Sequence, residues 1–480
     1  VAERIGNTMP SSTEKILKEW LSRLDGELPE VYLVGGVVRD MLLSRPPRDI
    51  DLMTRDAESF AKKLAATRDA VVVPFEKKAD EPCYRVIVRQ HRESFIDIVS
   101  MRGDTVSDDL ERRDFTVNAI AVRIESGGAS GKIIDPLNGR GDLAQRIIRA
   151  AGAYAFVSDP LRILRALRFA AELGFTIEDS TLAMMKSHAE LLKHTASERI
   201  FAELLKIFAA ENTGGFVRMM DRLGILSLIF PEIVAMKGCT QNSHHHLDVW
   251  SHSLLVLENC EHILTHLEDF FGQGYDKISE NLKKDENRIA LLKLTAMLHD
   301  AGKPLTSAVE KETGRITFYG HDKAGAEIVS GTARRLRMSG KDQAFIQRLV
   351  AEHLHILNLS RPEVRPGTRL RLFRNLGDDV IPLIIHGMAD INSTLGPDSD
   401  ALEREAYLEW AKATVIEYYE HTKAQLESPN FVTGNDLIAL GMSPGPEMGR
   451  MLREIREAQD TNTVRDREEA LSLAKSLMKQ

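Results

Sequence analysis

The 480-residue chain is 43% hydrophobic and 28% charged with a formal net charge of −8, the make-up of a globular chain of several domains rather than a disordered or fibrous one. No apolar run reaches the roughly 18 residues of a membrane span, and the N-terminus lacks the basic-then-apolar layout of a signal peptide. The three cysteines, Cys83, Cys239 and Cys260, form neither a C-x-x-C pair nor a disulfide framework, so a reducing cytoplasmic location is expected.

Residues 1–30 read as a leading segment and an amphipathic helix, with Ile16, Leu17, Trp20, Leu21 and Leu24 on one face. Val31–Val34 has buried-strand character and turns on Gly35-Gly36 into an apolar helical pattern. A second short strand carries Asp49 and Asp51, two residues apart and therefore on one face. Two carboxylates so placed suit a hard cation, and Mg²⁺ takes one or two carboxylates together with substrate phosphates. The glycines let backbone N–H groups approach a triphosphate, with Arg39 and Arg48 as nearby cations. Together these parts describe metal-assisted nucleotidyl transfer, in which a 3′-hydroxyl is activated and pyrophosphate leaves. Either half alone is equally an ordinary strand–turn–helix followed by a solvated D-x-D.

In combination, Gly35-Gly36-Val37-Val38-Arg39-Asp40 and Arg48-Asp49-Ile50-Asp51-Leu52 resemble the head of the class II tRNA nucleotidyltransferase and bacterial poly(A) polymerase family, within the polymerase-β-like superfamily. The resemblance implies an α+β fold: a polymerase-β-like head with a mixed sheet and helices, followed by a mostly α-helical neck, a metal-binding domain and a tail. The expected division is 1–150 for the head, 151–235 for the neck, 236–400 for the metal domain and 401–480 for a tRNA-binding tail. The implied partners are the tRNA 3′ end, CTP and ATP, with Mg²⁺ as cofactor and no membrane.

Ala57–Thr67 reads as a helix, and Ala70–Phe75, Tyr84–Arg89 and Phe95–Ser100 read as strands. Asp97 lies in the last of these, either as a third catalytic carboxylate or as an edge-strand residue facing water. Arg112-Arg113-Asp114-Phe115-Thr116-Val117-Asn118-Ala119 resembles the family's R-R-D-x-x-x-N-A element of the nucleotide pocket. Paired arginines suit phosphate oxygens, and an Asn amide suits a ribose hydroxyl. Turn-forming residues from Ile134 to Leu143 close this region.

From Ala153 the pattern is helical, with Ser158 or Asp159 as N-cap and Pro160 in the first turn. Asp159 and Arg162 share a helical face and match the family's E-D-x-x-R element, whose Asp and Arg read the incoming base; Ser158 replaces its Glu. A carboxylate accepts from an exocyclic amine and a guanidinium donates to a ring nitrogen or carbonyl. One such pair takes cytosine and adenine and rejects uracil and guanine, which present the opposite polarity. A capped helix with an i,i+3 ion pair accounts for the same residues. Arg165 and Arg168 extend this basic face.

Twelve of the fifteen histidines fall between His244 and His421. His252, His299-Asp300, His321, His353 and Asp390 occur in an order that resembles the HD phosphohydrolase superfamily, which implies a divalent-metal site of unstated metal, either active on 2′,3′-cyclic phosphates or phosphomonoesters at RNA ends or retained as a structural cage. Imidazole and carboxylate together suit transition metals as well as Mg²⁺. The run His244-His245-His246 reads as loop without a ligand role, and 263–288 as a loop insertion. Arg361, Arg365, Arg369, Arg371 and Arg374 form a local basic patch that either meets RNA phosphate or is a solvated face. Phe431–Leu437 and Leu440–Gly449 resemble the family's tail signature.

These features together imply a two-site enzyme, a tRNA 3′-end nucleotidyltransferase with an appended HD domain. Full CCA addition, A addition and poly(A) polymerization are the enzymatic alternatives, and an RNA-binding protein with an inactive transferase site is the non-enzymatic one. Only 14 residues, Ile98 to Glu111, separate Asp97 from Arg112. In the family, a shortened segment here accompanies enzymes that add two cytidines and stop, so CC addition with a partner enzyme for the terminal A is expected. Flexibility at Glu76–Pro82 would instead permit all three additions.

Overall fold

The computed structural model describes residues 20–21, 24, 28–47, 49–67, 69–78, 81–89, 91–125 and 131–478. Most of the leading helix and Arg48 lie outside them. The chain divides into two compact units, Val1–Ala196 with Leu223–Ile225, and Ser197–Arg222 with Leu226–Gln480.

The first unit is built on a seven-stranded mixed sheet. Its strands are β1 (Val31–Val34), β2 (Asp51–Thr54), β3 (Ala70–Lys78), β4 (Glu81–Val88), β5 (His91–Ser100), β6 (Ala121–Arg123) and β7 (Ile133–Ile134). The order is β3-β4-β5-β2-β1-β6-β7, and β2 pairs with β5 in parallel while the other neighbours are antiparallel. The expected strands at 70–75, 84–89 and 95–100 are present as longer members of one meander. β-Branched and aromatic residues along them explain the extension.

Strand alternation divides the sheet into two faces. Leu33, Leu52, Val86, Ile96 and Ile98 are fully buried on one. On the other, Tyr32, Val34, Met53 and Ala121 form a cluster with Val106 and Leu110 of the helix Val106–Glu111. The helices of this unit used below are α1 (Gly36–Leu42), α2 (Ala57–Ala66), α3 (Val106–Glu111) and α4 (Arg162–Leu173). Asp56 caps α2 by accepting from the Ser59 N–H at 3.0 Å, and α2 packs along β3, β4 and β5. α4 begins later than expected, at Arg162. Ser158 ends a separate short helix, Ala155–Ser158, and its hydroxyl bonds back to the Ala155 carbonyl.

The second unit is helical. Its principal helices are α5 (Val249–Thr265), α6 (Arg288–Leu298), α7 (His321–Arg335), α8 (Gly340–Asn358), α9 (Pro366–Leu376), α10 (Val380–Ser393) and α11 (Pro446–Asp460). α5 packs on α10 and α6, and α7 packs on α8. The segment 263–288, expected as a loop, instead forms the helices Leu267–Phe271 and Tyr275–Lys283. Ile278 and Leu282, one turn apart, are fully buried, which anchors this polar stretch to the bundle. A separate apolar cluster of Val432, Leu437, Met448, Met451, Ile455, Val464, Ala470 and Ala474 organises the C-terminal helices.

Candidate functional site

The turn after β1 places Gly35 at φ +78°, a conformation that favours glycine. A Cβ there would stand 3.3 Å from Arg113 NH1 and 3.7 Å from Asp51 Oδ2. The backbone thus approaches both charged groups as a side chain could not. Gly36 starts α1. Asp51 opens β2 and pairs in register with Asp97 of β5, and the Asp97 N–H donates to the Ile50 carbonyl at 3.0 Å. Asp49 is exposed two residues before Asp51, and Asp51 is half-buried. Asp97 is 2% exposed on a strand between β4 and β2, so it is not an edge residue.

Arg85 of β4 donates to both Asp97 oxygens, Nε to Oδ1 at 2.8 Å and NH2 to Oδ2 at 2.9 Å. This partner was not foreseen; only the antiparallel register, Arg85 opposite Asp97, reveals it. The donor set of Asp49, Asp51 and Asp97 is oxygen only, which fits a hard cation of the Mg²⁺ type and not a soft one.

Beside this row the expected nucleotide-binding side chains converge. Arg39 NH1 donates to Asn118 Oδ1 at 2.9 Å, and Asn118 Nδ2 donates to Asp114 Oδ1 at 3.1 Å. Arg165 donates to Asp114 Oδ2 through Nε at 3.0 Å and NH2 at 2.5 Å. Burial opposes the charge on Asp114, but the Arg165 and Arg162 guanidiniums and the Asn118 amide hold its carboxyl well below the usual range. The Phe169 ring gathers the cations. The guanidinium carbons of Arg168, Arg39 and Arg165 lie 4.0, 5.1 and 5.3 Å from its centroid. Neither Asp114 nor Phe169 was anticipated as an organiser, although Arg165 and Phe169 carry the i,i+4 spacing of helical neighbours.

Arg162 is buried. Its NH2 donates to the Arg112 carbonyl at 2.8 Å, and its NH1 to the carbonyls of Arg113 and Ala155 at 3.1 and 3.3 Å. Burial lowers its pKa, against the pull of Asp114 and Asp159. Asp159 is buried and accepts from the Leu161 N–H at 3.3 Å. Arg113 pairs with Asp109 at 3.0 Å, whereas Arg112 is exposed.

In the second unit all six expected metal ligands are buried and meet. His252 Nε2 lies 3.1 Å from Asp390 Oδ1 and 3.7 Å from Asp300 Oδ2. His299 Nε2 is 3.2 Å from Asp300 Oδ2. On the other side of that carboxylate, Asp300 Oδ1 lies 3.3 Å from His321 Nε2 and 3.8 Å from His353 Nε2. Two groups able to hold a cation result, His252/His299/Asp300 and Asp300/His321/His353, sharing Asp300.

The tautomers support metal binding. The Nδ1 atoms of His299, His321 and His353 meet the carbonyls of Ala296, Phe318 and Val350 at 3.0, 2.7 and 2.6 Å. A carbonyl only accepts, so each Nδ1 carries a proton, and each Nε2 is turned toward Asp300. Burial and the neighbouring His299 push His353 down to about 4, which keeps it neutral at physiological pH. His386, one turn before Asp390, lies with its ring 5.0 Å from that of His299. The His245 ring lies 4.6 Å from that of His252. Lys303 Nζ sits 2.6 Å from Asp300 Oδ2 and 2.7 Å from Gln241 Oε1. The expectation that 244–246 is a loop holds, but His245 packs on His252, one of the expected ligands.

Residues 31–149 match the family described as the poly A polymerase head domain. Residues 174–236 match the probable RNA and SrmB-binding site of polymerase A, and 249–378 the HD domain. The chain is 32% identical over 448 residues to the A-adding tRNA nucleotidyltransferase of Deinococcus radiodurans, covering 92% of this chain and 94% of that one. It is 31% identical over 449 residues to the CC-adding tRNA nucleotidyltransferase of Thermus thermophilus, covering 92% of each. Among solved structures, the Thermotoga maritima CCA-adding enzyme complexed with tRNA superposes with a TM-score of 0.63 at 22% identity, over 99% of this chain and 97% of that one.

Proposed function

The chain belongs to the tRNA nucleotidyltransferase and poly(A) polymerase family, and on that premise we propose that it transfers cytidylate from CTP to the 3′ end of tRNA, releases pyrophosphate and stops after two cytidines. The two relatives described differ by one percentage point of identity and carry opposite specificities, so identity does not choose between C and A. The segment after β5 favours C. β5 ends at Ser100 and α3 begins at Val106, and the intervening backbone is tied down. Met101 N–H donates to the Thr54 carbonyl at 2.8 Å, and Arg102 N–H donates to Asp109 at 3.1 Å. Asp104 and Thr105 N–H donate to Asp108 at 3.1 and 2.8 Å, the latter in a capping box. No length remains for a lever that would reshape the pocket from cytosine to the larger adenine.

Asp49 and Asp51 would hold Mg²⁺, with Asp97 beside them; bound there, Mg²⁺ would ease deprotonation of the 3′-hydroxyl and offset charge on the phosphates. Arg39 and Arg113 orient the triphosphate, and Asn118, held by Arg39 and Asp114, faces the ribose. Asp159 accepts from the cytosine amine. Arg162 donates to N3 and O2 with the two of its five N–H donors that its three carbonyl bonds leave. The HD residues would hold divalent metal for hydrolysis of phosphate esters at RNA ends, and residues 401–480 would grip tRNA. A cytoplasmic location and a partner enzyme that adds the terminal A complete the reading.

The test is incubation with tRNAs lacking all, two or one of the terminal CCA nucleotides, with CTP or ATP alone and with both. Rapid CC addition with negligible A addition is expected. Rapid addition of A to a tRNA ending in CC, with ATP alone, would overturn the CC limit, and no addition of any nucleotide would overturn the transferase assignment.

A further inference from the structure

Nucleotidyl transfer is in line, so two substrates must flank the carboxylates: a nucleoside triphosphate and an RNA end. The residues gathered for the triphosphate come from the β1 side of β2: Gly35, Arg39 and Asn118. On the opposite side, beyond Asp97 of β5, strands β4 and β3 have no assigned role. There the register pairs Asp51 with Asp97, Asp97 with Arg85, and Arg85 with Val73. Cross-strand partners project from one face, so the carboxylate row continues as a cation and then an aliphatic side chain, Val73, which is 43% exposed. Two residues along their strands from this row, on the same face, stand Phe95 and Phe75. The Arg85 guanidinium carbon lies 3.9 Å from the Phe95 centroid and 5.2 Å from that of Phe75.

We propose that Phe75, Arg85 and Phe95 form the binding strip for the RNA end that is extended: the rings stack the 3′-terminal base and Arg85 contacts the phosphodiester on its 5′ side. Aromatic rings beside a cation are the general means of holding single-stranded nucleic acid without reading its sequence. A tRNA nucleotidyltransferase needs such tolerance, because the terminal nucleotide differs between acceptors. Three carboxylates would repel an approaching phosphodiester. Arg85 offsets Asp97 on the flank away from Asp51, and its two bonds to Asp97 leave three of its five N–H donors. Its side chain is 35% exposed, so those donors are within reach of a ligand on the face. The assignment rests on the transferase reading above and adds to it the place of the second substrate.

The test is a binding cycle between protein and RNA. Wild type, Phe75→Leu and Phe95→Leu are titrated by fluorescence anisotropy with a tRNA lacking CCA, and with the same tRNA carrying an abasic 3′-terminal nucleotide. Wild type is expected to lose roughly tenfold in affinity when the base is removed. The variants are expected to bind intact RNA roughly tenfold more weakly, to be insensitive to the abasic change, and to retain wild-type affinity for CTP. Arg85→Gln, paired with RNA whose last linkage is a neutral methylphosphonate, is expected to be insensitive to that linkage where wild type is not. Variants that respond to base removal as wild type does, or that lose CTP affinity in step with RNA affinity, overturn the strip. A wild type that adds no nucleotide to tRNA defeats the transferase reading instead, while one that adds nucleotides without this coupling defeats the strip alone.

Discussion

The Nε2 atoms of His321 and His353 stand 3.2 Å apart, while their Nδ1 protons are committed to the carbonyls of Phe318 and Val350. Two lone pairs at that distance, in a buried site, are stable only with a positive charge between them. Asp300 Oδ1 faces the same point from 3.3 and 3.8 Å.

Metal removal is therefore expected to destabilise the second unit. Thermal melts with and without a chelator should differ, by about 3 kcal/mol where metal is present at a hundred times its dissociation constant. His353→Ala should lower the metal content measured by elemental analysis and shrink the chelator effect. Melts indifferent to chelator would mean that a shared proton, not a metal, bridges the pair.

Asp49→Ala and Asp51→Ala are each expected to lower nucleotide addition by at least a thousandfold, on the order of 4 kcal/mol in the barrier, because the oxygen donors for the hard cation are lost. tRNA binding should persist, since neither side chain is a cation. Filter binding beside a gel-based addition assay separates the two. Near-normal addition by either variant at saturating Mg²⁺ would remove that residue from the site.

Arg162→Ala should relax discrimination against UTP and GTP. Loss of a specific hydrogen-bonding group costs about 1–3 kcal/mol of discrimination, or roughly 5- to 150-fold. Because Arg162 also binds the carbonyls of Arg112 and Arg113, overall addition should fall as well. Single-nucleotide incorporation assays measure both effects. Unchanged discrimination alongside reduced addition would make Arg162 a brace and not a reader.

Asp114→Asn is expected to destabilise the first unit by about 2 kcal/mol at neutral pH, the worth of a charge-assisted bond to Arg165. Its carboxyl is held below the ordinary value in the folded chain, so the folded form binds its proton less readily than the unfolded one. The stabilisation is fully present above the unfolded value near pH 4. It is lost as pH falls below that toward the folded value. Denaturant melts should thus show a gap between wild type and variant that is constant from pH 5 to 8 and narrows below about pH 4. A gap that widens on acidification would contradict the Asp114–Arg165 pairing.

The sequence by itself determined the local chemistry. The glycine turn, the D-x-D spacing, the R-R-D element and the ordered histidines each lie within a few residues, where strand or helix period sets which side chains share a face. These features sufficed for the fold class and for the family. The shortness of the segment between Asp97 and Arg112 was legible for the same reason, being a matter of counting.

Only the tertiary structure decided which distant partners complete those groups. Arg85 meets Asp97 through a register that no local pattern specifies. Phe169 collects three arginines from two helices. The arginines of α9, legible as a basic patch, are partly spent within the protein: Arg374 pairs with Asp460, Arg371 lies 3.8 Å from Glu457 of α11, and Arg369 lies over Trp410. A cation's availability depends on whether folding brings a carboxylate to it, and these carboxylates are more than eighty residues away in the chain. His245 likewise gained its contact with His252 from the course of a loop. Periodicity constrains neighbours along one element; packing constrains neighbours between elements, and the charge balance of both sites is set by the second.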